Sequence, residues 1–199
     1  MRAIDWQKFL QEQRDKHGKV VFTMTELSNV SSLNPRSLKT SLQRLVNLGV
    51  IQRYTKGRYG LTGAVGIEDL VPSLDPSVYV TGMYALYHHQ LVTQTPTEVT
   101  CFTDRRHNRS RIRVTSLGRI VFVCVTGSVY SYPQESVIAS PGQALSDFVY
   151  LCRKHRIDPS DIVTFRNLDR LDPDRLQSHL KRYPATVKRE IERLLQQSK

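Results

Sequence analysis

The sequence predicts an α+β chain in two parts: three helices closed by a hairpin, then a small, mostly antiparallel sheet with flanking helices. Three observations carry this. Residues 34–48 hold an apolar stripe at helical spacing, started by a cap residue and stopped by Gly49. A basic two-strand pattern follows at 50–61. Beyond the small, glycine-bearing stretch at 61–66, β-branched runs at 98–103, 110–115 and 119–126 lie between helical patterns.

Each element follows in order. A helix is expected over 5–16, with Asp5 as its cap, Trp6, Phe9 and Leu10 on one face and Gly18 at its end. Residues 19–23 read as a short strand. Thr23 or Thr25 opens a second helix with Leu27 and Val30 facing inward, and 31–33 make a turn. Asn34 then caps the third helix. Pro35 takes its first position, where a missing N–H costs nothing because that donor has no partner inside the helix. At about 100° per residue, Leu38, Leu42 and Leu45 share the core face. Arg36, Thr40, Gln43, Arg44 and Asn47 lie opposite, with Ser37 at the edge. That outer face carries donors and no acid. Strands at 50–54 and 59–61 flank Lys56-Gly57 and make a hairpin bearing Arg53, Lys56 and Arg58. Helix, strand, helix, turn, helix, hairpin is the order of the winged helix-turn-helix, whose third helix enters the major groove while the wing touches backbone or minor groove.

The boundary between the parts is expected near residue 64, giving domains 1–64 and 65–199; Pro72 and Pro76 mark a further irregular stretch. The second part opens with a helix over 77–90. Strands follow at 98–103, 110–115 and 119–126, with a fourth candidate at 128–131. The third is almost continuously apolar, as expected of a strand buried on both faces. Ser140-Pro141 starts a helix whose buried side is Ala144, Leu145, Phe148, Val149 and Cys152. Three helices complete the chain: from Asp158 or Ser160 to about 166, from Asp172-Pro173 to about 181, and from Pro184 to 197.

Composition narrows the function classes. With 199 residues, 39% hydrophobic and 24% charged, the chain is expected to pack rather than stay disordered. No apolar run approaches the roughly 20 residues of a membrane span. The first residues are not a secretory signal, so a cytoplasmic location is expected. Formal net charge is +11, and it is densest in 1–65, with 11 basic against 4 acidic residues. Such a balance suits a phosphate backbone or an acidic protein. Cys101, Cys124 and Cys152 lie far apart among apolar neighbours and read as core residues in a reducing compartment.

Enzyme signatures are absent. There is no Gly-x-Ser-x-Gly, no His-Glu-x-x-His and no phosphate-binding Gly-x-x-x-x-Gly-Lys. His88 and His89 adjoin, and neighbours on a helix point about 100° apart, a poor geometry for a shared metal. Asp158 with Asp161, and Asp172 with Asp174, sit at helix starts, where capping explains them. Asp147 has no histidine at motif spacing. No catalytic residue, cofactor or metal is expected. One dense cluster remains: Arg105, Arg106, Arg109, Arg111 and Arg113, five arginines in ten residues. It reads as a second contact with nucleic acid or an acidic partner, or as a solvated hairpin.

With these residues in view, the chain resembles the AbiEi family of bacterial regulators, the antitoxin half of a type IV abortive-infection toxin–antitoxin pair. The N-terminal helices with their wing and the arginine-bearing strands contribute. So does Val-Tyr-Val-Thr-Gly-Met-Tyr-Ala-Leu-Tyr-His at 78–88. The most specific segment is Val-Ile-Ala-Ser-Pro-Gly-Gln-Ala-Leu-Ser-Asp-Phe-Val-Tyr-Leu at 137–151, similar to the family's Ala-Ser-Pro-Glu-Lys-Ala-Leu-Leu-Asp stretch. The chain departs from it at Gly142-Gln143, where Glu-Lys is common, and around Gly82, where small residues or leucine are usual. The resemblance implies an N-terminal domain that represses its own operon at inverted repeats. It also implies a C-terminal domain that counters a nucleotidyltransferase toxin, by contact or only functionally.

The expectation is therefore a DNA-binding repressor acting as monomer or DNA-induced dimer. Arg36, Ser37, Thr40 and Gln43 would face bases; Lys39, Arg44, Arg53, Lys56 and Arg58 would meet phosphates. Three alternatives stand beside it: a regulator with no toxin, a nucleic-acid-processing enzyme, and a scaffold whose winged helix binds protein.

Overall fold

Local sequence sets the first helices. The structure, a computed structural model, describes residues 2–105 and 110–197. Helix α1 (Ala3–His17) begins earlier than its sequence implies: Asp5 sits inside the first turn, and its carboxylate accepts from the Arg2 backbone N–H at 2.8 Å. Strand β1 (Phe22–Thr23) leads straight into α2 (Met24–Ser31). There Thr23 and Glu26 form a reciprocal capping box: Glu26 N–H donates to Thr23 Oγ1 at 3.2 Å, and Thr23 N–H to Glu26 Oε2 at 2.8 Å. Helix α3 (Pro35–Asn47) has the expected start, with Ser37 N–H donating to Asn34 Oδ1 at 2.9 Å.

Strands β2 (Ile51–Thr55) and β3 (Arg58–Leu61) form the hairpin, and the sheet order is β1-β3-β2, all antiparallel. Gly57 turns it at φ +74°, a conformation a side chain would strain. Gly60 is required for a different reason: a Cβ there would lie 2.3 Å from the Val20 carbonyl oxygen. Trp6, Leu10, Phe22, Leu27, Leu38, Leu42, Leu45 and Ile51 make one core, joining every element named so far except β3, whose Tyr59 and Leu61 pack against it.

This first unit does not stop near residue 64. It reaches to Leu74 and includes Val114–Leu117, where Ser116 N–H donates to the Tyr54 carbonyl at 2.8 Å. The stretch expected to be irregular forms α4 (Ile67–Leu74) with Pro72 inside it. Proline removes one helical hydrogen bond, but Ile67, Leu70 and Val71 recur at helical spacing and are buried, and that burial decides the conformation.

The second unit covers Asp75–Arg113 and the chain from Gly118 on. Its sheet has the order β4-β5-β7-β6, from β4 (Tyr79–Thr81), β5 (Glu98–Thr103), β6 (Ile112–Thr115) and β7 (Gly118–Cys124). β4 pairs antiparallel with β5, but β5 and β7 are parallel, so the centre of an expected mostly antiparallel sheet is not antiparallel. The two residues joining β6 to β7 leave room only for an antiparallel hairpin. β7 alternates rather than being buried throughout: Ile120 and Phe122 are buried, while Val121 and Val123 are half-exposed.

Two further expectations change. The helix expected over 77–90 is split. Tyr79–Thr81 is strand, paired on one side with β5 and bridged on the other to Ile138, and only α5 (Gly82–His88) is helical. Its β-branched and aromatic residues favour a strand, and Gly82 turns out of it at φ +63°. The candidate strand at 128–131 is a turn. Helix α6 (Pro141–Lys154) is not amphipathic: from Gly142 to Val149 every residue is buried. Around it lie α7 (Pro159–Ile162), a 3₁₀ turn (Leu168–Arg170), α8 (Pro173–Leu180) and α9 (Ala185–Gln197). α7 stops well short of 166. Capping explains its aspartate and that of α8: Asp158 accepts from Ser160 N–H at 2.8 Å, and Asp172 from Asp174 N–H at 3.0 Å.

Candidate nucleic-acid interface

Helix α3 places its charges by periodicity. Leu38, Leu42 and Leu45 face the core at 1–3% exposure, which turns the other side to solvent. Arg36, Ser37, Lys39, Thr40, Gln43 and Arg44 are all exposed. They fall in two rows: Arg36, Thr40 and Arg44 at four-residue spacing, and Lys39, Gln43 and Asn47 beside them. Thr40 Oγ1 donates to the Arg36 carbonyl at 3.2 Å, and Gln43 Nε2 to Asn47 Oδ1 at 3.0 Å. No carboxylate among the described residues forms an ion pair with Arg36, Lys39 or Arg44. Some basic residues elsewhere are paired: Lys16 with Glu12, Lys19 with Glu26 and Arg193 with Asp158. The outer face of α3 thus holds three cations without intramolecular neutralisation, next to hydroxyls and an amide.

The hairpin divides. Arg53 and Lys56 are exposed, Lys56 at the turn itself. Arg58 is half-buried, and its guanidinium is already used: Nε and Nη2 donate to the Ser73 carbonyl at 3.0 and 2.6 Å. It fastens the last turn of α4 to β3. Sequence spacing could not show this, because the acceptor is a backbone carbonyl fifteen residues away.

The second arginine cluster divides as well. Arg106 and Arg109 lie outside the described residues. Arg105 is exposed and 3.8 Å from the Asp104 carboxylate. Arg111 is exposed just before β6. Arg113 turns back on its own strand: Nη1 donates to the Ser110 and Ile112 carbonyls, and the guanidinium lies 5.9 Å from the centre of the Phe122 ring. Arg111 and Arg113 therefore do not present a matched pair.

The chemical groups elsewhere are held by the fold. His89 Nε2 is 2.7 Å from the Ala139 carbonyl, and burial holds its pKa below the usual value. Burial pushes the Cys101 thiol well up and the Cys152 thiol to about 11. Both are unreactive core groups at neutral pH. Among the described residues no group of three or more His, Cys, Asp or Glu side chains is arranged to hold a metal.

One group escapes the sequence reading. Asp147, in the middle of α6, is fully buried and accepts hydrogen bonds from Thr81 Oγ1 at 2.6 Å, from Tyr79 Oη at 3.2 Å and from Tyr183 Oη. Burial pushes its carboxyl up to about 7, against the pull of these three donors. Its partners lie 66, 68 and 36 residues away, so local spacing does not show what it binds.

Comparison with protein-family models and with curated protein sequences finds no match for this chain. The segments at 78–88 and 137–151 are largely interior: Val78 to Gly82 in the first, Gly142 to Val149 in the second.

Proposed function

We propose that the first unit is a winged helix that binds duplex DNA, and that the chain is a sequence-specific transcriptional repressor. The observation that carries this is the outer face of α3, where Arg36, Lys39 and Arg44 stand exposed, with no carboxylate partner among the described residues, beside Ser37, Thr40 and Gln43. Unpaired guanidinium and ammonium groups beside polar side chains suit a surface that meets phosphates and base edges together. Arg53 and Lys56 on the hairpin extend it. Arg36, Ser37, Thr40 and Gln43 read bases; Lys39, Arg44, Arg53 and Lys56 hold the backbone, while Arg58 serves the fold first.

Following the resemblance to the AbiEi family, the chain acts as the antitoxin of a type IV pair, in the cytoplasm, repressing its own operon at an inverted repeat. Two copies would then occupy the two half-sites. The toxin is a nucleotidyltransferase, countered with or without contact. The chain works by binding and not by catalysis. A nucleotidyltransferase reading frame adjoining this one supports the antitoxin role; without it, the stand-alone regulator is the better reading.

A gel shift on the chain's own promoter tests the DNA-binding claim. A shift at low salt that survives excess unrelated duplex supports it. No shift at low salt sinks it.

A further inference from the structure

Between the N-terminal turn of α1 and the flank of α3 runs a groove of about 660 Å³. That size suits a small organic molecule. Its floor is apolar, from Trp6, Leu33 and Leu45. Its rim is cationic and hydroxylic: Arg36 and Arg44 stand on it with Ser41 between them. No acidic side chain lines it. Arg2, also at the rim, has its guanidinium 3.8 Å from Asp5, whereas Arg36 and Arg44 have no carboxylate partner among the described residues. Leu48 is 63% exposed at one end, an apolar side chain left in water beside the groove.

We infer that this groove binds a small organic anion with an apolar body, of the aromatic carboxylate or sulfonate class. The apolar part covers Leu33 and Leu48; the anionic part meets Arg36 and Arg44. A bare inorganic anion satisfies the guanidiniums but leaves the floor exposed, and a neutral hydrocarbon does the reverse. The inference has a regulatory consequence that rests on the DNA-binding reading above. Arg36 and Arg44 belong to both surfaces, so the ligand and the duplex exclude each other.

The test uses the full chain and 1-anilinonaphthalene-8-sulfonate as probe. Trp6 is the single tryptophan of the sequence, so energy transfer from tryptophan to the probe reports binding near Trp6, and the groove variants locate it. The expected result is a saturable transfer signal. Arg44→Ala weakens the probe about tenfold, the effect of losing one charge-assisted bond. Ser41→Leu, which fills the groove, abolishes binding. Arg189→Ala, a charge removed from exposed α9, changes nothing, and inorganic sulfate at equal concentration does not compete. Circular dichroism confirms that each variant is folded. An absent signal, an unchanged affinity in Arg44→Ala, or full competition by sulfate overturns the groove site. In a second arm, saturating probe releases a labelled promoter duplex, whereas Lys56→Ala weakens the duplex and leaves probe affinity alone. A duplex that stays bound with the groove occupied overturns the exclusion. A chain that takes up the probe but never binds duplex upholds the ligand site and defeats the DNA-binding reading.

Discussion

Thr81 Oγ1 donates to Asp147 Oδ2 at 2.6 Å, joining the end of β4 to the middle of α6. Tyr79 and Tyr183 complete the set, and no cation contributes. The segments at 78–88 and 137–151 thus meet at one buried carboxyl.

That carboxyl makes the stability of the second unit pH-dependent. Its pKa is raised by burial from the ordinary 3.8 to about 7. Between these values the folded chain holds a proton that the unfolded chain has lost. Stability is therefore greatest at or below the unfolded value and falls as pH rises toward 7, by up to about 1.4 kcal/mol per pH unit. His89 and His179, whose pKa values are lowered chiefly by burial, act in the opposite sense below their ordinary 6.5. Asp147→Asn isolates the acid. In urea titrations followed by far-ultraviolet circular dichroism, the wild type minus the variant should lose stability from pH 5 to pH 7. A difference that is flat or rises with pH contradicts the assignment.

Gly60→Ala should disrupt the first unit. The added Cβ would meet the Val20 carbonyl oxygen at 2.3 Å and Val65 Cγ2 at 2.8 Å, and the carbonyl belongs to the backbone and cannot rotate away. A loss of about 1–3 kcal/mol or more is expected. Trp6, in the core against which β3 packs through Tyr59 and Leu61, reports it as an earlier unfolding transition in tryptophan fluorescence. A variant as stable as wild type would contradict the close approach of β3 to the Val20 carbonyl.

Arg58 and Lys56 should separate. Arg58→Ala loses two hydrogen bonds to the Ser73 carbonyl and lowers the stability of the first unit by about 1 kcal/mol or more. Lys56→Ala leaves stability within about 0.5 kcal/mol. It weakens binding to all duplexes alike and reduces the salt slope of log K by about one unit. Thermal melts with anisotropy titrations at several salt concentrations decide between the two roles. Equal effects of both variants on stability would contradict them.

What the sequence made legible depended on the range of the causes. The order of elements through residue 61 was readable because caps, apolar spacing and turn glycines act within a few residues: Asn34 with Pro35, Thr23 with Glu26, Gly57 in the hairpin. The exposed face of α3 followed from the same periodicity. Helix α4 was hidden by Pro72, whose local cost is offset by burial that no local pattern reveals. The β4 residues read as helix in the sequence because their partners, β5 and Ile138, come later in the chain. The partners of Asp147 are hidden for the same reason, and the duties of Arg58 and Arg113 are invisible in sequence because both bind backbone carbonyls. Composition marks a basic residue but does not say whether the fold has already used it.

The central claim is that the outer face of α3 reads DNA. The most direct measurement is fluorescence anisotropy of a labelled duplex from the chain's own promoter against a scrambled duplex, for wild type, Arg36→Ala and Thr40→Ala. Wild type is predicted to prefer the promoter duplex, with affinity falling as salt rises. Both variants should narrow that preference at unchanged stability, by about 1–3 kcal/mol for a lost bidentate contact of Arg36. Equal binding of both duplexes by wild type, or variants that keep its full preference, would contradict the claim.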